Sequence, residues 1–126
     1  MKPHGFVELE WKQKILFIKT FGPFNLEGIS AASTEINSLI IQQNHSHWLR
    51  LDSLDDDTLG CPEVMKVIGE SYRWSFNHGC NQIVVCCYNQ IQMALLNQFI
   101  SHSGLNVKAF SCIDSAWQYV NNQAID

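Results

Sequence analysis

The stretch from Gln82 to Phe110, QIVVCCYNQIQMALLNQFISHSGLNVKAF, decides the fold of this chain. It opens with an apolar run that ends at Tyr88 and predicts a strand. Residues 90–103 then repeat their apolar side chains at helical spacing and stop at Gly104, a residue that commonly closes helices. A short apolar run over residues 107–110 predicts another strand. A strand, a helix and a strand in this order predict two parallel strands joined by a right-handed crossover.

Two more helices are predicted ahead of this stretch. Residues 26–43 carry an apolar stripe, and Asn25 is suited to cap their N-terminus. A second helix begins at Pro62, where the missing N–H costs little, and runs to about His78. In the helix over residues 90–103 we expect five apolar side chains to face the core: Ile91, Leu95, Leu96, Phe99 and Ile100.

Strand patterns open the chain, and a helix closes it. Residues 6–11 alternate apolar and polar side chains, whereas residues 15–18 are continuously apolar. Because the connection between them is too short for a crossover, they should pair as antiparallel neighbours. Residues 48–52 form the next predicted strand. Ser111 and Asp114 resemble a capping box that opens the last helix, whose buried face is expected to hold Ala116, Trp117 and Val120.

The predicted element order is therefore β-β-α-β-α-β-α-β-α. Strands that alternate with helices indicate a layered α/β fold with a mainly parallel sheet. We expect about five strands, the first of them antiparallel, together with four helices. No linker, repeat or low-complexity tract interrupts the pattern, so a single domain is predicted over residues 1–126.

Composition excludes several classes of protein. Lys and Arg total 8 against 12 Asp and Glu, a formal charge of −4, which argues against nucleic-acid binding because phosphates attract a cationic face. No apolar run approaches the ~20 residues of a bilayer span, and no signal peptide is recognisable, so the chain should not be transmembrane. The five cysteines lack Cys-x-x-Cys spacing, which predicts reduced thiols and a cytoplasmic location.

A set of separated residues in the second half matches a known family. Gly79 precedes an apolar strand, Gly104-Leu105 ends a helix, Phe110 ends the next strand, and Ala116 lies in the last helix. This pattern resembles the STAS domain, the sulfate-transporter and anti-sigma-factor-antagonist family. The resemblance spans roughly residues 6–121 and is mostly one of topology.

Residues near the end of the chain resemble one subgroup of this family in particular. The pattern Phe110-Ser111-x-x-x-Ser115-Ala116-Trp117 is most similar to the SpoIIAA-like subgroup of small stand-alone bacterial proteins. The resemblance implies a non-enzymatic regulatory or protein-interaction module that binds a protein partner or, as a homodimer, a second copy of itself. We expect that surface in the loop before the second helix, at Asp55, Asp56, Asp57, Thr58, Leu59 and Gly60.

The phosphorylation signal of the family is not matched in that loop. Family members carry an Asp-Ser-Ser-Gly segment whose second Ser is phosphorylated, and the nearest match here is Asp57-Thr58-Leu59-Gly60. Leu59 stands at the acceptor position and has no hydroxyl. Thr58 is one place off, and Ser53 is farther away. The resemblance therefore implies an interaction module without a matching phospho-acceptor serine.

A small-ligand or lipid carrier is the alternative function. The SpoIIAA-like subgroup resembles the lipid-binding Sec14-type domains in topology, which implies an apolar pocket beneath the second helix. The candidate lining residues are Phe21, Phe24, Met65 and Ile68.

A metal-dependent enzyme that uses the loop from Asp52 to Asp57 is a weaker alternative. Clustered carboxylates can bind Mg²⁺ or Ca²⁺, but this cluster lacks EF-hand spacing, and a solvated acidic loop explains it as well. The pairs His45/His47 and His78/Cys80 are expected at polar helix–strand junctions rather than in a metal site. No nucleophile or phosphate-binding motif is present, so we predict no catalytic residues, no metal and no cofactor.

Overall fold

The computed structural model describes residues 2–59 and 61–123 of the chain. Five strands and four helices lie in these ranges. The strands are β1 (Phe6–Lys12), β2 (Ile15–Phe21), β3 (Trp48–Leu54), β4 (Cys80–Cys87) and β5 (Val107–Phe110). The helices are α1 (Leu26–Gln43), α2 (Pro62–Phe76), α3 (Gln90–Ser103) and α4 (Ile113–Asn121).

The strands form one mixed sheet in the order β1-β2-β3-β4-β5. β1 pairs with β2 in antiparallel register, with Leu9 opposite Ile18. The other three pairings are parallel, and Leu51 of β3 lies beside Val84 of β4. The predicted α/β class, the antiparallel first strand and the mainly parallel sheet are therefore confirmed.

Helices cover the two faces of the sheet unequally. α1, α2 and α3 each connect neighbouring parallel strands, and right-handed crossovers place all three on the same face. Their buried residues Ile36, Ile68 and Leu96 belong to one core cluster. α4 follows the last strand and packs on the opposite face, where Ala116 and Val120 contribute to a second, smaller cluster.

Local capping chemistry explains several helix ends. The Asn25 side chain accepts a hydrogen bond of 2.8 Å from the Gly28 N–H at the start of α1, and Gly104 closes α3 with a φ of +69°, a conformation that glycine adopts without strain. The predicted capping box is wrong, since the N-cap of α4 is Cys112, one residue after Ser111. α2 ends at Phe76, earlier than expected.

The inward face of α3 also differs from the prediction. Ile91 is 76% exposed and Leu95 is 39% exposed, whereas Gln92 and Leu96 are buried. The Gln92 side chain accepts a hydrogen bond from the Leu59 N–H (2.8 Å) and donates one to the Asp55 carbonyl (2.6 Å). These two bonds turn the polar Gln92 inward, and Ile91 and Leu95 consequently face solvent.

All five thiols are free, and three of them lie on β4. Burial raises the pKa of Cys80 and of Cys87 to about 12. None of the helices in the described ranges combines the length and the apolar character of a membrane span.

Candidate functional site

A groove of about 670 Å³ runs between α2 and α3 and is open to solvent. Because α2 and α3 each follow one of two neighbouring parallel strands, they run in the same direction and their ends lie side by side. The described residues that line the groove are Leu59, Cys61, Pro62, Met65, Lys66, Gly69, Arg73, Leu95, Gln98, Phe99 and His102.

The Phe99 side chain reaches from α3 to the backbone of α2 and forms the floor of the groove. A Cβ atom at Gly69 would meet Phe99 Cε1 at 2.7 Å, so the missing side chain lets the aromatic ring lie against the α2 backbone. Tyr72, which is fully buried, contacts the same ring edge to face with centroids 5.9 Å apart. Gly69 is thus required by the close approach of the Phe99 ring to the α2 backbone.

The apolar walls of the groove are only partly covered. Met65 is half-buried on α2, and Leu95 faces it from α3 with more than a third of its surface in contact with water. Ile91, one turn before Leu95, extends this apolar strip beyond the groove. Contiguous exposed apolar surface of this kind is characteristic of interaction sites.

Three basic side chains stand around the groove. Lys66 and Arg73 come from α2, and His102 comes from the last turn of α3. The Arg73 guanidinium lies 5.8 Å from the centroid of the Phe99 ring. Among the described lining residues none is acidic.

A carboxylate stands beside the opposite end of the groove. The Cys61 thiol donates a hydrogen bond of 2.6 Å to Glu63, and this bond lowers the pKa of the exposed Glu63 carboxyl. The groove therefore has an acidic neighbour where α2 begins and basic side chains where α2 and α3 end.

The loop predicted to bind a partner is partly buried. Asp56 and Asp57 are exposed and Asp55 is half-buried, but Thr58 and Leu59 lie in the interior. Gly60, the last residue of that prediction, lies outside the described residues. The loop thus offers two exposed carboxylates, while Leu59 forms one end of the groove.

Hydrogen bonds hold the loop against the sheet. The Thr58 hydroxyl donates to Asp55 Oδ1 (2.6 Å) and accepts from the Thr20 hydroxyl (2.7 Å). Asp55 Oδ2 accepts a bond of 2.8 Å from the Gly22 N–H. The Thr58 hydroxyl is therefore a buried structural group, turned away from solvent.

The four residues predicted to line a ligand pocket are not gathered around one cavity: Met65, Ile68 and Phe21 line three different ones. Phe21 stacks on Phe6 with centroids 4.8 Å apart, at the far edge of the sheet. Phe24 and Ile68 are buried in the main core. Met65 alone of the four lines the α2–α3 groove.

The acidic side chains do not form a metal centre in the described part of the chain, where no three His, Cys, Asp or Glu side chains converge. Asp52, which the weaker alternative counted as a ligand, accepts two hydrogen bonds of 2.8 and 3.0 Å from Arg50. His78 stacks on Trp74 at 3.7 Å, and His45 contacts the edge of Trp11.

The Arg50–Asp52 ion pair is fully enclosed between β3 and α2. Arg50 also donates to the hydroxyls of Ser71 and Ser75 at 2.9 Å and lies over the Tyr72 ring. Burial alone lowers the pKa of Arg50, but the Asp52 carboxylate raises it above its usual value. Burial also raises the pKa of Tyr72 strongly. These groups are buried away from solvent, and the bonds from Arg50 to Ser71 and Ser75 join α2 to the sheet.

The α3 wall of the groove and the basic side chains around it are not predicted from the sequence. Lys66 and Arg73 are seven residues apart, a spacing that places both on one side of a helix. Glu63 and Glu70 stand at similar spacing on the same helix, so the sequence alone shows no net basic face there. No local pattern in the sequence indicates that Leu95 faces solvent, because its exposure depends on the hydrogen bonds made by Gln92.

The sequence matches no protein-family model, and no curated protein is similar enough to count as a match.

Proposed function

We propose that this chain is a non-enzymatic, STAS-like regulatory module that binds a helix of a partner protein in the groove between α2 and α3. The open apolar groove with Leu95 on its wall carries this proposal. The parallel order of β2 to β5 supports it, since the resemblance to STAS domains implies that order. The free thiols suit the reducing cytoplasm, where we place the protein.

The dimensions of the groove favour a helix as the occupant. Its lining positions on α2 extend from Pro62 to Arg73, which is about 16 Å at 1.5 Å per residue. On α3 the positions 95, 99 and 102 repeat at the spacing of one helical face. Two neighbouring helices that line a groove over about three turns on α2 and two turns on α3 suit the apolar i, i+4, i+7 anchors of a third helix.

The lipid-carrier alternative finds less support. A carrier encloses most of its ligand, whereas the α2–α3 groove is open to water. The small cavity beneath α1 and α2 measures about 20 Å³, which is room for about one water molecule. The partner-helix function is therefore preferred.

A designed peptide tests the proposal. The probe is an amphipathic helix of about four turns with Leu at i, i+4 and i+7 and Gln at its polar positions. We expect binding to the wild type, and Leu95→Gln should weaken it about tenfold, because burial of a Leu side chain contributes on the order of 1.5 kcal/mol or more. Titration calorimetry supplies the dissociation constants.

Leu26→Gln is the matched control. Leu26 is 48% exposed on α1, away from the groove, so the same change there should leave the affinity within about twofold. Failure of the peptide to bind the wild type, or equal loss in both variants, would overturn the proposal. So would a dimer in sedimentation that Leu95→Gln dissociates, because the groove would then belong to a second copy of the chain.

A further inference from the structure

We infer that the helix bound in this groove is acidic, with its carboxylates gathered beside the end formed by Arg73 and His102. This inference rests on the proposed function, since it names the chemical class of the partner that the same groove would take. The contrast between the charge of the groove and the charge of the whole chain points to it.

The charge of the side chains that line the groove is opposite in sign to the net charge of the protein. The whole chain has a formal charge of −4, yet the ionic side chains that line the groove in the described residues are Lys66 and Arg73, with His102 beside them. Glu63 and Glu70 also lie on α2, but neither lines the groove. A helix seated in the groove would therefore contact the two cations directly and these carboxylates only from farther away. A basic helix would be repelled by the two cations, and an acidic helix would be attracted.

The position of the charges also orients the partner. Arg73 lies in the last turn of α2 and His102 in the last turn of α3. Because the two helices run parallel, these side chains share one end of the groove, whereas Glu63 stands beside the other end. Carboxylates of the occupant are therefore favoured at the Arg73 end.

An anionic membrane surface is negatively charged, as an acidic helix is, but its shape fits the groove less well. The basic side chains flank a groove between two helices, and the apolar side chains stand on its walls as well as outside it. A flat lipid surface would reach Ile91 without filling the groove around Phe99. A helix fills it along both walls, as in other helix-in-groove complexes.

Three peptides with the same Leu anchors test the inference, with Glu, Gln or Lys at the polar positions. We expect the Glu peptide to bind roughly tenfold tighter than the Gln peptide, and the Lys peptide to bind more weakly than both, since the ion pairs to Lys66 and Arg73 act together. The advantage of the Glu peptide should shrink as salt is raised.

A double variant identifies the charges responsible. Lys66→Gln with Arg73→Gln should abolish the preference for Glu while it leaves the affinity for the Gln peptide within about threefold. The matched control is Lys19→Gln with Lys108→Gln, which changes the net charge equally on the sheet face that carries α4. The control variant should keep the preference.

The outcomes separate the two proposals. If the Gln peptide fails to bind, the proposed function itself falls. If all three peptides bind equally, or if the control variant loses the preference as well, the groove binds a helix but the acidic assignment is overturned. Binding of vesicles made of equal parts phosphatidylcholine and phosphatidylglycerol, lost in the Lys66/Arg73 variant, would overturn it in favour of a membrane.

Discussion

At the scale of single residues, Arg50 and Asp52 show how a buried charge pair joins two layers. They are two residues apart on β3, so both side chains point to the same face of the sheet. They are 2% exposed each, and the third guanidinium nitrogen, Nη1, donates to the hydroxyls of Ser71 and Ser75. A fully bonded pair of this kind is costly to break because a charge would remain buried alone.

Asp52→Asn should therefore destabilise the fold by roughly 3 kcal/mol, since it leaves the Arg50 charge without its counterion. Urea unfolding followed by circular dichroism gives the free energy of unfolding. Asp57→Asn, the same change at an exposed position of the following loop, should cost less than about 0.5 kcal/mol. Equal costs at the two positions would contradict the role assigned to the pair.

At the scale of the secondary-structure elements, most of the order could be predicted because the signals are local. The bounds of α1 and α3 follow from Asn25 and Gly104, which act within one turn of the helix ends. The rotation of α3 about its axis could not be predicted in the same way. It depends on bonds between Gln92 and a loop that is distant in sequence, and a count of apolar residues favours Ile91 and Leu95 instead.

Gln92→Leu tests that explanation. The change makes α3 more apolar, yet it leaves the Leu59 N–H and the Asp55 carbonyl without partners, so we expect a loss of about 1–3 kcal/mol in the free energy of unfolding. Amide hydrogen exchange at Leu59 should also become faster. Gln90→Leu, at an exposed position of the same helix, should change neither quantity appreciably, and a stabilised Gln92→Leu protein would refute the explanation.

The buried thiols of β4 should make the free energy of unfolding depend on pH in the alkaline range. Burial raises the pKa of Cys80 and Cys87 to about 12, above the ~8.5 of an unfolded cysteine. A raised folded pKa means that the unfolded chain releases protons first as pH rises. The free energy of unfolding should keep its full value below about pH 8.5. It should fall between about pH 9 and 12, by up to ~1.4 kcal/mol per pH unit for each thiol.

Urea midpoints measured in reductant at several alkaline pH values check this slope. Cys87→Ala should make the decline shallower. Cys112→Ala should not, because Cys112 is exposed and hydrogen bonds from Ser115 lower its pKa. An unchanged slope in Cys87→Ala would show that other groups, such as the buried Tyr72, control the alkaline transition.

At the scale of the whole molecule, the fold could be predicted more completely than the site. The alternation of strands and helices determines that α1, α2 and α3 share one face, whereas the groove exists only where α2 and α3 meet. Gly69 and Phe99 are thirty residues apart, and their contact appears in neither local pattern. The predicted loop contributes Leu59 to the groove, and the predicted pocket contributes Met65.

The location of the bound helix tests the central claim most directly. Isotope-labelled protein is titrated with the Gln-type peptide, and amide chemical shifts are recorded by NMR. We expect the largest changes at Met65, Gly69, Leu95 and Phe99, the residues that form the floor and walls of the groove. Changes centred instead on Asp56 and Asp57, or on α4, would contradict the claim.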